Sequence, residues 1–208
     1  SSGAVAAGRS LYQFPKKTDT VAQRQVLASI GQVKLIARYK EVFDSLGIVC
    51  SQVLVTKEDF KTRHHYLNMQ NCLSALLQHR IIPIINENDS VATEEIRFGD
   101  NHRLAARVAQ AAAAGGVILL SDIDGLYDRN PARDGAVHIA RVERIDAGIE
   151  GMADTGSASG MGSGGMVSKI AAARIANAAG AHLAIASGRI DRPLSTAARH
   201  TLFVAERG

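Results

Sequence analysis

Apolar residues recur at helical spacing through residues 21–46, at Val26, Ile30, Val33, Ile36, Ala37, Val42 and Phe43, and Gly47 follows where a left-handed residue would end a helix. One long helix is expected there. Residues 48–56 are β-branched and short, as in a strand. Helical spacing returns over residues 61–79, with Leu67, Cys72, Leu73, Leu76 and Leu77 predicted to face inward. Residues 81–85 form a continuous apolar run, the pattern of a strand covered on both faces of a parallel sheet. An Ala-rich helix over residues 101–114, a strand over 117–120, a helix over 166–179 and a strand over 182–186 continue the alternation. This is a βαβ pattern, which predicts an α/β fold. Residues 147–165 are rich in Gly, Ser and Ala with little periodicity, and are expected to form a flexible loop.

With 208 residues, 46% of them hydrophobic, the chain can bury one sizeable core, or two small lobes around a cleft. The net charge of +4 is scattered rather than blocked, and there is no Trp to stack bases, so a nucleic-acid partner is not expected. Cys50 and Cys72 belong to no CxxC pair and read as reduced core thiols of a cytoplasmic protein. No apolar run approaches the ~20 residues that span a bilayer, and no signal-peptide pattern precedes the first motif. The chain opens at Ser1, Ser2 and Gly3 without a Met, so an incomplete N-terminus is expected.

Ligands of open α/β sheets gather beyond the carboxyl ends of the strands, and the polar clusters of this chain fall there. Asn86, Glu87, Asn88, Asp89 and Ser90 follow the apolar run; Ser121, Asp122, Ile123, Asp124 and Gly125 follow the strand at 117–120; Gly162, Ser163, Gly164 and Gly165 precede a helix. Glycines let the backbone approach a phosphate, and the following helix would present its free N–H groups and Lys169 in its first turn. The pattern is neither a Walker A loop nor a dinucleotide fingerprint, and a mobile connection is the competing reading. Four amide or carboxylate side chains at 86–89 suit the ammonium and carboxylate of a zwitterion; an Asx-rich turn is the alternative. Asp100 and Asn101 fit either a helix cap or a ligand contact. Asp122 and Asp124 could contact Mg²⁺ or a ribose, although Asp124 and Gly125 also make an ordinary turn signal. His64 and His65, beside Arg63, have no partner at metal spacing and read as solvated surface, so no metal site of protein ligands is predicted.

Taken together, SSGAVAAG at residues 1–8, IIPIINENDSVA at 81–92, FGDN at 98–101, LLSDIDGLYDRNP at 119–131 and GSGGMVSK at 162–169 resemble the glutamate 5-kinase branch of the amino-acid kinase superfamily. The resemblance covers nearly the whole chain. It implies a three-layer αβα sandwich with an eight-stranded, mainly parallel sheet, forming one kinase domain over residues 1–208. It also implies transfer of the ATP γ-phosphoryl group, with Mg²⁺, to the γ-carboxylate of L-glutamate, the first step of proline biosynthesis. Carried over by position, Ser2, Gly3, Asn86, Asp89, Asp100 and Asn101 would bind glutamate, and Ser121 and Asp122 the nucleotide. Ser163, Gly164, Gly165, Met166, Val167, Ser168 and Lys169 would form the phosphate-side loop, with Lys169 catalytic. Proline as a feedback inhibitor and a homo-oligomer are further family expectations.

Three departures accompany the resemblance. The family's opening strand with its Lys-x-Gly-Ser/Thr motif would lie before Ser1, position 102 is His where the family usually has Asp, and the C-terminal PUA domain of many bacterial members is not expected. A sister carboxylate or phosphate kinase and a non-catalytic glutamate or proline sensor are the alternative readings. The nucleophile needs no general base, because a glutamate side chain with pKa of about 4.3 is already ionised at neutral pH. Catalysis must then come from alignment and from cations that neutralise the transferring oxygens.

Overall fold

A computed structural model describes residues 1–15, 20–93, 100–155, 163–195 and 199–206. The chain divides into two compact units, Ser1–Asn101 and His102–Gly208.

The first unit contains α1 (Ala4–Arg9), α2 (Val21–Ser45), β1 (Cys50–Val55), α3 (Glu58–Lys61), α4 (Arg63–Gln78) and β2 (Ile82–Glu87). The side chain of Thr20 caps α2 by accepting from the Gln23 N–H at 3.2 Å, and Gly47 follows the helix at φ 67°. The inward face of α2 is not the one its large apolar residues predict. Leu27, Ala28 and Gly31 are buried, whereas Val26, Val33 and Val42 are exposed. The reason is steric: a Cβ on Gly31 would overlap the Ala4 carbonyl, and one on Gly8 would overlap the backbone of Leu27. α1 and α2 meet through a seam of small residues, and a pattern counted on bulky side chains overlooks it.

A similar correction applies to α4, where Met69 and Leu73 are buried one turn apart and Leu67, Cys72 and Leu77 are exposed. This narrow stripe means that Cys72 is a surface thiol rather than a core one, and Cys50 is only half-buried. β1 and β2 pair in parallel from Cys50↔Ile82 to Val55↔Glu87, so both strands leave the sheet at one edge. The Asn88 N–H donates to the Val55 carbonyl at 2.7 Å and fixes the chain as it leaves β2.

The second unit holds α5 (Asn101–Ala111, whose first residue precedes the boundary), β3 (Gly116–Ser121), β4 (Leu126–Tyr127), β5 (His138–Ile139) and β6 (Arg141–Val142). It continues through α6 (Ala147–Thr155), α7 (Ser163–Ala178), β7 (His182–Ser187) and β8 (His200–Phe203). Its main sheet runs β3-β7-β8-β6, with β3 and β7 parallel and β8 antiparallel to β7. The eight strands described hydrogen-bond in three sets, of two, four and two, where the resemblance implied one sheet. Ala106, Ala172, Ala173 and Ala176 are fully buried against Leu183, Ile185 and Phe203, so alanines let α5 and α7 pack closely on the sheet.

The expected loop over 147–165 contains a helix, α6. The Asp146 carboxylate caps it by accepting from the Ile149 N–H at 3.0 Å, Ala153 is buried in the core, and Glu150 pairs with Arg174 of α7 at 2.6 Å. Tertiary burial and a cap override the weak intrinsic pattern of this Gly-containing segment. α7 begins at Ser163, three residues before the predicted start at Met166.

Candidate functional site

In the first unit, the predicted glutamate residues Ser2, Gly3, Asn86 and Asp89 collect around the carboxyl end of β2. Ser1 Oγ donates to the Ile85 carbonyl at 3.1 Å, which brings the adjoining Ser2 and Gly3 to that end. Gly3 has φ 98° and forms the N-terminal boundary of α1, so Ser2 and Gly3 lie immediately before a helix. The left-handed conformation there favours Gly, which has no Cβ.

Asn86 is 1% exposed, and its Nδ2 donates to Oε1 of Gln32 on α2 at 2.9 Å. Its Oδ1 is buried with no hydrogen-bond partner among the described residues. Glu87 is also buried. Asp89 is half-buried in the turn that follows, where the N–H groups of Val91 and Ala92 both donate to the Asn88 carbonyl, at 3.2 and 3.0 Å. Asn88 therefore builds a turn, while Asn86 keeps a buried acceptor unused. Gln32 was not singled out from the sequence, because one Gln on a long helix carries no local signal.

Asn101 opens α5 and also has a buried Oδ1 without a hydrogen-bond partner among the described residues; Asp100, immediately before it, is half-buried. Phe98 and Gly99 of the FGDN motif, and Gly162 of the Gly-rich motif, lie outside the described residues.

In the second unit, the parallel register Ser121↔Ser187 places the carboxyl ends of β3 and β7 side by side. The Gly188 N–H donates to the Ser121 carbonyl at 2.7 Å and holds the two exits together. Ser121 Oγ donates to Asp122 Oδ1 at 3.0 Å. That bond is the largest influence holding the Asp122 carboxyl below its ordinary range; the positive charges of Lys169 and Arg189 act in the same direction, and slight burial opposes them. Asp122 is thus an exposed, ionised carboxylate near two cations. Arg189 escaped sequence analysis because it belongs to no motif; the end of β7 carries it to this edge.

Asp124 has a different role. It accepts from the Tyr127 hydroxyl at 2.9 Å, and Arg199 lies 3.9 Å from its carboxylate, so it braces the β4 turn.

Ser163, Gly164, Gly165 and Met166 form the first turn of α7 rather than a loop, which moves Lys169 into the second turn. Val167 is exposed, while Ser168 and Lys169 are buried, Lys169 at 5% exposure. Lys169 Nζ donates to the Gly165 carbonyl at 3.3 Å, so the side chain lies back along the helix toward its N-terminus. The N–H groups of a helix's first turn have no acceptor within the helix itself, which is what suits a helix start to an anion. His102 on α5 reaches Ser168, with Nδ1 2.9 Å from Oγ.

This edge combines a buried ammonium, a surface guanidinium, an ionised carboxylate and a helix start, which suits an anionic ligand with several charges. Residues 2–187, spanning both units, match the sequence family described as "Amino acid kinase family".

The chain belongs to the amino acid kinase family.

Several curated relatives of the chain are named glutamate 5-kinase. The chain is 69% identical over its full length to a glutamate 5-kinase of Sphingopyxis alaskensis and covers 57% of that protein. It is 50% identical to a glutamate 5-kinase of Novosphingobium aromaticivorans, with 98% of the chain aligned to 55% of the relative. The chain therefore spans little more than half the length of these curated relatives. Among solved structures, E. coli aspartokinase III in complex with aspartate and ADP superposes with a TM-score of 0.58 at 17% identity, covering 92% of the chain and 43% of the other. That likeness supports the amino acid kinase fold, an α/β arrangement with mainly parallel strand pairing.

Proposed function

We propose that the chain forms the kinase domain of a glutamate 5-kinase, which transfers the ATP γ-phosphoryl group to the γ-carboxylate of L-glutamate and so begins proline biosynthesis. The observation that carries this reading is the buried Lys169 ammonium near Asp122 and Arg189 at the carboxyl ends of β3 and β7. Sequence identity to relatives named glutamate 5-kinase selects the acceptor.

In this reading Ser2, Gly3, Asn86, Asp89, Asp100 and Asn101 hold glutamate. The unused Oδ1 of Asn86 is suited to receive an ammonium N–H, and Asp89 adds negative charge to the same strand end. Ser121, Asp122 and residues 163–169 hold the nucleotide, with the N–H groups of the first α7 turn toward its phosphates. Lys169 is the catalytic group, a cation placed where negative charge accumulates as the phosphoryl group leaves ADP. The glutamate carboxylate attacks already ionised, so no proton has to be removed by the protein.

Mg²⁺ fits the donor set. Among the described residues no group of three or more His, Cys, Asp or Glu converges on one point, while Asp122 offers a single ionised oxygen pair. Asp122 would help to hold such an ion together with the nucleotide, and Mg²⁺ bound there would supply positive charge to the transferring phosphoryl group.

The proposal treats residues 1–208 as part of one kinase domain in a reducing, cytoplasmic setting, consistent with two unpaired cysteines; no described helix is long and apolar enough to cross a membrane. It includes homo-oligomerisation and proline as a feedback inhibitor, which analytical ultracentrifugation and proline titration test directly. The activity itself is tested by incubation with Mg-ATP, glutamate and hydroxylamine. Glutamyl hydroxamate is expected; binding of glutamate or proline without ADP formation would instead make the chain a sensor, and hydroxamate from aspartate alone would assign it to a sister kinase.

A further inference from the structure

One face of α2 runs along the segment that leaves β2. Gln25, Ser29 and Gln32 stand at i, i+4 and i+7, the spacing of a single helix face. Gln25 Nε2 donates to the Ala92 carbonyl at 3.4 Å, the hydroxyls of Ser29 and Ser90 share a hydrogen bond of 2.9 Å, and Gln32 Oε1 accepts from Asn86 Nδ2 at 2.9 Å. Polar side chains from one helix thus meet residues 86–92 at both ends and between them, and Asp89 lies within that stretch.

Gln32 differs from the other two because its partner is the side-chain amide of a candidate ligand residue. The β2 register, Leu54↔Asn86, fixes where the Asn86 side chain leaves the backbone. It does not fix which end of the amide faces which way, because the NH₂ and C=O ends differ in hydrogen-bonding character and hardly in shape. Among the described residues, Gln32 Oε1 is the one hydrogen-bond partner of that amide. By accepting from the NH₂ end it leaves Oδ1 as the buried, unpaired end. A ligand ammonium carries donors only, so it needs the carbonyl end; an amide turned the other way would set N–H against N–H. The placement of Gln32 does not depend on Asn86. Its neighbour Gly31 packs against the Ala4 carbonyl with no room for a Cβ, and Leu27 and Ala28 are buried, so α2 is seated by the small-residue seam and delivers Gln32 to the strand end.

We infer that Gln32 is a positioning residue for the glutamate side of the site: it holds the NH₂ group of Asn86 and so presents Asn86 Oδ1 to the substrate ammonium. The inference rests on the assignment of Asn86 to glutamate in the proposed function. It requires an acceptor atom at the Oε1 position and not an amide as such. A Glu keeps an acceptor oxygen there whether or not it is protonated, whereas Leu and Ala offer none.

The experiment uses the full chain and reads glutamate binding by calorimetry in the presence of Mg-AMP-PNP, alongside initial rates of hydroxamate formation. Gln32→Leu and Gln32→Ala are each expected to weaken glutamate binding, and to raise KM for glutamate, about tenfold. The kcat and the KM for ATP should stay close to the parent's. Gln32→Glu should hold glutamate binding to within about threefold of the parent or tighten it. The double variant Gln32→Leu with Asn86→Ala should lose no more than Asn86→Ala alone, because Gln32 acts through Asn86.

Parent-like glutamate binding in Gln32→Leu and Gln32→Ala, an equal rise in KM for ATP, a loss in Gln32→Glu as large as in Gln32→Leu, or additive losses in the double variant would each overturn the inference. If the parent binds glutamate but yields no hydroxamate, the kinase reading fails alone and the binding series still decides the role of Gln32. If the parent yields hydroxamate and the Gln32 variants match it, the inference fails alone. A parent chain that neither binds glutamate nor yields hydroxamate overturns both.

Discussion

Asn86 Nδ2 donates to Gln32 Oε1 at 2.9 Å, and with the amide held in that direction Asn86 Oδ1 is a buried acceptor lacking a partner among the described residues. Leaving such a group unpaired costs about 1–3 kcal/mol, so a ligand N–H that meets it recovers that amount. In the proposed function the donor is the glutamate ammonium. Asn86→Ala is therefore expected to raise KM for glutamate about tenfold or more. KM for ATP should be nearly unchanged, and initial rates with each substrate varied in turn will show whether the two constants separate. Asp89→Ala should behave in the same way, and an isolated loss of ATP affinity in either variant would reverse the allocation of the two units.

Lys169 has the opposite signature. Removing one preorganised charge from a developing transition state costs on the order of 10²-fold in kcat, which is the expectation for Lys169→Ala. Single-turnover measurements at saturating substrates isolate that step. An unchanged rate would remove Lys169 from catalysis.

The small-residue seam in the first unit predicts a large stability effect far from any ligand. Gly31→Ala adds one methyl group where the Ala4 carbonyl already sits, so α1 must move away from α2. Overpacking of this kind costs about 1–3 kcal/mol, and urea denaturation should show the lower midpoint. Val33→Ala, at an exposed position on the same helix, should leave the midpoint close to the parent's.

Gly125 makes a parallel case in the second unit. A Cβ there would stand 2.5 Å from both His138 Nε2 and Thr201 Oγ1. Thr201 Oγ1 cannot yield easily, since it accepts from the Leu126 N–H at 2.7 Å and donates to the Ile139 carbonyl at 2.6 Å, joining β4, β5 and β8. Gly125→Ala should lower the melting temperature and increase hydrogen exchange at Leu126.

His138 gives the fold a pH dependence of definite sign. Burial is the main influence lowering its pKa, Asp124 opposes, and Arg199 and His200 add to the lowering; Nε2 has no hydrogen-bond partner among the described residues. The unfolded chain, with an ordinary His pKa of about 6.5, binds the proton more readily than the folded one. The contribution to stability is complete above that value and declines as pH falls through it toward the depressed folded pKa. Urea midpoints of the parent and His138→Leu, compared at pH 7.5 and 5.5 (values on either side of about 6.5), should show the parent losing more on acidification. Equal losses would mean that His138 does not titrate differently in the two states.

Periodicity located α2, α4, α5, α7 and the strands β1, β2, β3 and β7, since each long element repeats its apolar positions often enough to reveal its period. The same pattern misplaced the inward faces of α2 and α4, because it counts bulky residues and the contacts at Gly8, Gly31 and Ala4 depend on having none. It also missed α6, whose helix depends on the Asp146 cap and on burial of Ala153 in the core.

By itself the sequence determined the order of the long strands and most of the long helices, the polar clusters at strand ends and the motif set that resembles glutamate 5-kinases, because each is written in neighbouring residues. Only the tertiary structure decided that Gln32 meets Asn86, that Ser163 to Met166 are helical, that Arg189 joins Asp122 near Lys169, and that His102 grips Ser168. Those relationships link residues far apart in the chain, and their geometry is set by strand register and helix packing, which no local stretch encodes.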